Sequence, residues 1–240
     1  MTLLIETSAT RFKYARLVDG RLMNIETLGG GSSAAEPPWA SALARLTPTP
    51  RFVVVANGGP ANFKPRLAEW IRRAWHVDPQ FVEPPAGADV EAPVERYLAL
   101  VGARARGLSP ALVVTADAAV GLDLIDADGN RIGGWTIPGE RPMREALYAQ
   151  TSGIAAAALL DPAAVDGPFG VNTSGAVQEG ARMAIASSVA AIARRQDAGV
   201  PVIATGRFAQ EAVRYMAEGP EIIEDLALEG LARWVSQGSA

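Results

Sequence analysis

Few residues in this chain are equipped for chemistry, and they gather at two places that repeat. The first is Glu6-Thr7-Ser8-Ala9-Thr10, with Lys13 close behind, directly after the apolar run at residues 3–5. The second is Thr115-Ala116-Asp117, directly after the apolar run at residues 112–114. An offset of 109 residues superimposes Glu6 on Thr115 and Asp19-Gly20 on Asp128-Gly129, with the same thirteen-residue separation in each copy. Small residues at a strand end let backbone N–H groups approach phosphate oxygens, and acids beside them position a metal ion. Two such loops suit a nucleoside triphosphate. Lysine is the compact point charge suited to phosphate, and Lys13 is one of only two lysines among 22 basic residues. Neither GxxxxGK[ST] nor GxGxxG occurs, so phosphate chemistry here would not be that of a P-loop or Rossmann protein. Plainer readings stand beside these: Glu6 as a polar turn residue, Lys13 as a solvent-facing strand residue, Asp117 as the cap of a turn.

Composition removes other chemistries. The 240 residues include no cysteine and a single histidine, His76. Disulfides, thiolate nucleophiles, cysteine-held metals and His-rich metal sites are therefore excluded, and His76 is assigned no role. A net charge of −4 gives no basic footprint for nucleic acid. No apolar run approaches the roughly 20 residues of a membrane span, and no basic segment opens the chain, so a cytoplasmic protein is expected. With 49% apolar and 20% charged residues the chain can bury a real core.

The elements that must position these residues follow from patterning. Strands at 3–5, 12–18 and 21–27 flank Asp19-Gly20, a strong hairpin signal. Helical spacing follows at 38–46, a buried strand at 51–56, then Asn57-Gly58-Gly59, which reads as a turn. A helix at 63–75, a strand at 76–82 and a helix at 94–106 complete the first copy. The second opens with a strand at 111–114 and adds helices at 144–160 and 173–195, a strand at 200–204 and a last helix at 221–235. The expectation is an α/β chain of two similar domains, 1–110 and 111–240, each opening with a β-hairpin whose first turn faces a cleft between them.

Ordered landmarks along nearly the whole chain carry a resemblance. Gly133-Gly134-Trp135-Thr136-Ile137-Pro138-Gly139 and Met143-Arg144-Glu145-Ala146-Leu147 resemble a GG-x-IxPG segment and the helix after it. Asn172-Thr173, Ala176 and Gly180 match NT-x-x-A-x-x-x-G; Ala204-Thr205-Gly206 stands where TGG would; Leu228-Glu229-Gly230-Leu231 matches LxGL. Together these resemble the type III pantothenate kinases and the closely similar Bvg accessory factor proteins. The resemblance implies duplicated ribonuclease H-like domains of the actin, Hsp70 and sugar kinase superfamily. It also implies a homodimer that transfers the ATP γ-phosphate, with Mg²⁺, to pantothenate or a related small molecule, as in the first step of coenzyme A synthesis.

Site residues carry over position by position. Glu6 stands for the aspartate of D-x-G-N-T/S and would hold Mg²⁺ through water, while Thr10 and Lys13 would meet phosphates. Thr115 and Asp117 lie in the second phosphate loop, and Thr205 and Gly206 in the loop after the later strand. Pro93-Val94-Glu95-Arg96 aligns with G-A-D-R, which makes Glu95 the catalytic base; Arg96 and Thr173 would orient the acceptor. The departures are concentrated in these loops. Ser8 adds a Cβ where the family has glycine, and Glu95 is one methylene longer than aspartate. Asp117 replaces a glycine, and Ala118, Val120 and Gly121 replace phosphate-binding threonines. Thr115 replaces the aspartate associated with a monovalent cation, K⁺ or NH₄⁺. The segment at 86–93 is shorter than the family's substrate loop. Besides the kinase, the pattern therefore suits an inactive pseudokinase, a regulatory subunit paired with an intact paralogue as a heterodimer, or a kinase for a different small alcohol.

Overall fold

A computed structural model describes residues 1–8, 11–29, 38–85, 93–155, 163–196, 199–216 and 219–238. The chain divides into two units, Met1–Gly107 with Asp225–Ala240, and Leu108–Glu224.

In the first unit, β1 (Thr2–Thr7), β2 (Arg11–Val18) and β3 (Arg21–Gly29) form an antiparallel meander, and β4 (Phe52–Asn57) and β5 (Gln80–Phe81) add in parallel. The sheet order is β3-β2-β1-β4-β5. As the central strand, β1 is covered on both faces, and Leu3, Leu4 and Ile5 are fully buried; that is why its sequence is a continuous apolar run rather than an alternation. The β2–β3 turn places Asp19 and Gly20 at positive φ, as a two-residue hairpin requires.

One face of this sheet packs against α1 (Pro38–Ala44) and α2 (Phe63–Trp75) around Leu3, Ile5, Phe12, Trp39 and Val55. In α2, Phe63, Leu67, Ala68 and Ile71 form the buried stripe, and His76 ends the helix in the left-handed region, its N–H donating to Arg72 O. The sequence's lone histidine is therefore a helix terminator. The opposite face packs against α3 (Val94–Ala105) and α7 (Leu226–Gly238) around Leu4, Ala15, Val54, Leu98, Leu228 and Leu231.

The second unit repeats the plan. Strands β6 (Ala111–Ala116), β7 (Ala119–Ile125) and β8 (Arg131–Pro138) form the meander, and β11 (Val202–Thr205) and β12 (Glu221–Ile222) add in parallel. Its order, β12-β11-β6-β7-β8, is that of the first sheet. Helices α4 (Glu140–Gln150), α5 (Thr173–Ala193) and α6 (Ala209–Ala212) follow, and a short hairpin of β9 (Val165–Asp166) and β10 (Phe169–Gly170) precedes α5. The core joins Leu112, Val114, Leu122, Ile185, Val189 and Ala204. The repeat at an offset of 109 residues is thus a repeat of structure.

One segment departs from the division expected at 110/111. The last helix belongs with the first unit, because α3 and α7 meet backbone to backbone at two glycines. A Cβ on Gly102 would fall 2.3 Å from Leu226 O, and one on Gly230 would fall 1.9 Å from Leu98 O. Among the described residues, no helix is long and apolar enough to cross a membrane.

Candidate functional site

Side-chain alternation decides where the first loop's polar groups go. Successive strand residues face opposite sides, so Glu6 shares the face of Leu4, and Lys13 shares the face of Ala15. Glu6 and Lys13 are also register partners across β1 and β2. Both therefore lie on the face that carries α3 and α7, beyond the apolar patch of Leu4, Ala15 and Val54. Both are buried, at 7% and 3% exposure, so neither is the solvent-facing or turn residue that the plainer readings describe. Lys13 Nζ lies 2.6 Å from Asp225 Oδ1, at the entry to α7.

The carboxyl ends of β1 and β4, where open α/β sheets bind ligands, are tied together. Thr7 Oγ1 donates to Asn57 Oδ1 at 2.7 Å, Asn57 Nδ2 donates to Gly59 O at 3.2 Å, and Gly58 N donates to Thr7 O at 2.8 Å. Glu95, in the first turn of α3, lies over this loop: a Cβ on Gly58 would fall 1.9 Å from its Oε2. Asn57-Gly58-Gly59 is thus the floor beneath the Glu95 carboxylate as well as a turn. Arg96 follows on the helix at 8% exposure. The structure accordingly brings Glu6, Lys13, Glu95 and Arg96 to one face of one sheet. Thr10 and most of the segment at 86–93 lie outside the described residues.

Asp225 is a partner of Lys13 that sequence reasoning misses, since no motif or spacing links the two, 212 positions apart. Asp225→Asn should lower stability in urea by about 1.5–3 kcal/mol, the size of a charge-assisted hydrogen bond to a buried partner. A change within about 0.5 kcal/mol, the range of an ordinary surface substitution, would contradict that role.

In the second unit, Thr115 sits between Gly121 and Thr205 in the sheet register, and Thr205 is buried at 4% exposure. Three turns meet beyond these strand ends. Gly139 N donates to Ala118 O and Phe208 N to Ala116 O, both at 3.0 Å. A Cβ on Gly139 would fall 2.6 Å from Ala118 O; one on Gly206, whose φ is +98°, would fall 2.5 Å from Ala116 O. Only glycine satisfies both the dihedral and the approach at 206. Arg207 N donates to Asp117 Oδ1 at 3.4 Å, which joins the altered phosphate loop to the loop after β11.

Beside them lies a small pocket lined by Asp117, Val120, Glu140, Arg182, Phe208 and Glu211, among others. Arg182 is held by Glu140 at 2.9 Å and Glu179 at 2.8 Å. Burial works against its charge, but the hydrogen bonds and charges of Glu140 and Glu179 outweigh burial and hold its pKa above the usual arginine value. At the start of α5, Asn172 Oδ1 accepts from Gly175 N at 2.8 Å and Ala164 N at 3.1 Å. Asn172 is therefore the N-cap, and Thr173 after it is exposed on the first turn.

No described group of three or more His, Cys, Asp or Glu could hold a metal ion.

The family profile described as type III pantothenate kinase matches residues 2–195. A type III pantothenate kinase of Methylibium petroleiphilum is 32% identical over 99% of both chains, and one of Nitrosococcus oceani is 27% identical over 97% of this chain and 93% of its own. Among solved structures, a Campylobacter jejuni protein assigned to the Baf family of transcriptional activators aligns with a TM-score of 0.57. It is 15% identical over 99% of this chain and 98% of its own. The activator of 2-hydroxyisocaproyl-CoA dehydratase from Clostridium difficile, solved with bound ADPNP, aligns with a TM-score of 0.56, at 14% identity over 100% and 97%. Those structural likenesses concern the fold alone, two α/β units whose sheets share one strand order. With the profile covering most of the sequence and named relatives matching end to end, the chain belongs to the type III pantothenate kinase family.

Proposed function

We propose that this chain transfers the γ-phosphoryl group of MgATP to pantothenate, with Glu95 as general base. The observation that carries the reading is the seat of Glu95: a carboxylate in the first turn of α3, lying over Gly58 at the carboxyl ends of β1 and β4. A base needs to lie within about 2.6–3.2 Å of the proton that it takes, directly or through one water. The glycine floor leaves room for the extra methylene of glutamate. In the step, the acceptor hydroxyl oxygen bonds to the γ-phosphorus as the bond to the ADP oxygen breaks. ADP keeps that electron pair, and the hydroxyl proton passes to Glu95.

The chain's other groups orient the reactants and balance charge, which is most of what phosphoryl transfer asks of a protein. Glu6 supplies a carboxylate for Mg²⁺ through water. Lys13, Thr10 and Thr173 carry over from the resemblance, the first two as phosphate contacts and the third as an acceptor contact, and Arg96 holds the acceptor's anionic end. Thr205 and Gly206 shape the nucleotide loop. Thr115, lacking a carboxylate, gives K⁺ or NH₄⁺ little hold. A homodimer is part of the reading, supported by exposed Phe169, Val171 and Met183 on the second unit; a sedimentation mass of two chains is expected.

The test is ADP release from MgATP that requires pantothenate and stops when it is omitted. ADP release with another small alcohol and none with pantothenate would move the assignment to a different acceptor. Ala118, Val120 and Gly121, which offer no hydroxyl in the second loop, favour a second reading, an inactive or partner subunit. MgATP that neither binds nor turns over would select it.

A further inference from the structure

We infer that Asp117 is a built-in anion that competes with the nucleotide's phosphates for the loop after β11, and so sets a weak affinity for MgATP. The inference rests on the kinase reading above. Gly206, at φ +98°, turns the chain so that the next N–H, that of Arg207, points at the β6–β7 turn, and Asp117 Oδ1 receives it at 3.4 Å. An amide after a glycine turn is a group that binds phosphate oxygen, and here a carboxylate of the chain already receives it.

The surroundings add to the effect. Glu211 lines the same pocket, and so does Glu140, whose carboxylate is already paired with Arg144 and Arg182. Among the described residues the one cation in its lining, Arg182, is paired with Glu140 and Glu179. The Arg207 guanidinium lies 5.3 Å from the Phe208 ring centroid, over its face. An entering phosphate would displace a hydrogen bond and approach like charges, a repulsion that falls only as the inverse of distance and of dielectric. Removing the charge at 117 should therefore help ligands in proportion to their phosphate, and leave the nucleoside alone unaffected.

The test is calorimetric titration of MgATP and of adenosine into the full chain and its Asp117→Asn and Asp117→Gly variants. Asparagine keeps the size and the acceptor but removes the charge; glycine also removes the acceptor, so one variant guards against a local folding defect in the other. The expected result is a Kd for MgATP about tenfold lower in both variants, about 1.4 kcal/mol, with adenosine changed by less than about twofold. MgATP affinity that is unchanged, weakened or still unmeasurable in both variants overturns the inference, as does an equal gain for adenosine. The kinase reading fails separately: MgATP would tighten as expected, yet no variant would phosphorylate pantothenate.

Discussion

Glu95→Gln is expected to lower kcat for phosphoryl transfer by about 10²–10⁴-fold, the range by which a positioned base accelerates proton transfer. Glutamine fills the same volume over Gly58, so α3 and the loop after β4 keep their packing and the fold should be unaffected. What disappears is the capacity to accept the acceptor's proton. The separation of kinetic constants is as informative as the loss, because a group acting only in the transition state lowers kcat and kcat/KM together. Glu95→Asp keeps a carboxylate but draws it back by one methylene, and should retain part of the activity. A Glu95→Gln enzyme with kcat within about threefold of wild type, far below that catalytic range, would remove Glu95 from the chemistry.

The largest stability effect is expected at Gly230. A Cβ there would lie 1.9 Å from Leu98 O, 2.7 Å from Leu98 C and 3.0 Å from Gly102 N, all backbone atoms that no rotamer change can move. Helices α3 and α7 would have to separate, opening the cluster of Leu98, Leu228 and Leu231 that covers one face of the first sheet. Overpacking of this kind costs about 3 kcal/mol or more, which for a chain of this length lowers Tm by roughly 6–12 °C. Ser236→Ala, on the exposed last turn of the same helix, should leave Tm within about 2 °C. Equal melting temperatures for Gly230→Ala and wild type would mean that the two helices do not pack this closely.

The duplicated sheet could be read from the sequence because its signals are local. A central strand covered on both faces must be apolar throughout, and a two-residue hairpin needs Asp-Gly; both recur at one offset. Elements set by distant partners were harder to place. Helix α4 begins at Glu140 rather than 144, because Pro142 falls in the first turn, where its missing N–H costs nothing. The stretch expected to begin the last helix instead gives β12 at Glu221–Ile222, paired in parallel with β11, and α7 starts at Leu226. That α7 joins the first unit depends on Gly102 and Gly230, whose meeting no local pattern announces.

The site was legible to the same degree. Residue types singled out Glu6 and Lys13, and the resemblance singled out Glu95 and Arg96; the face that they share follows from strand alternation once α3 is known to cover it. Asn57-Gly58-Gly59 gave a turn signal with no sign that Glu95 would rest on it. Asp225 gave none, since an ion pair between residues 13 and 225 leaves no trace in spacing.

The central claim is tested most directly by single-turnover transfer, with protein in excess over radiolabelled γ-phosphate MgATP in the presence of pantothenate. Wild-type chain should move the label onto pantothenate as one phosphoryl group per ATP, and Glu95→Ala should leave it on ATP. Label that stays on ATP with wild-type protein, or that reaches pantothenate equally in both proteins, would contradict the assignment of Glu95-dependent phosphoryl transfer.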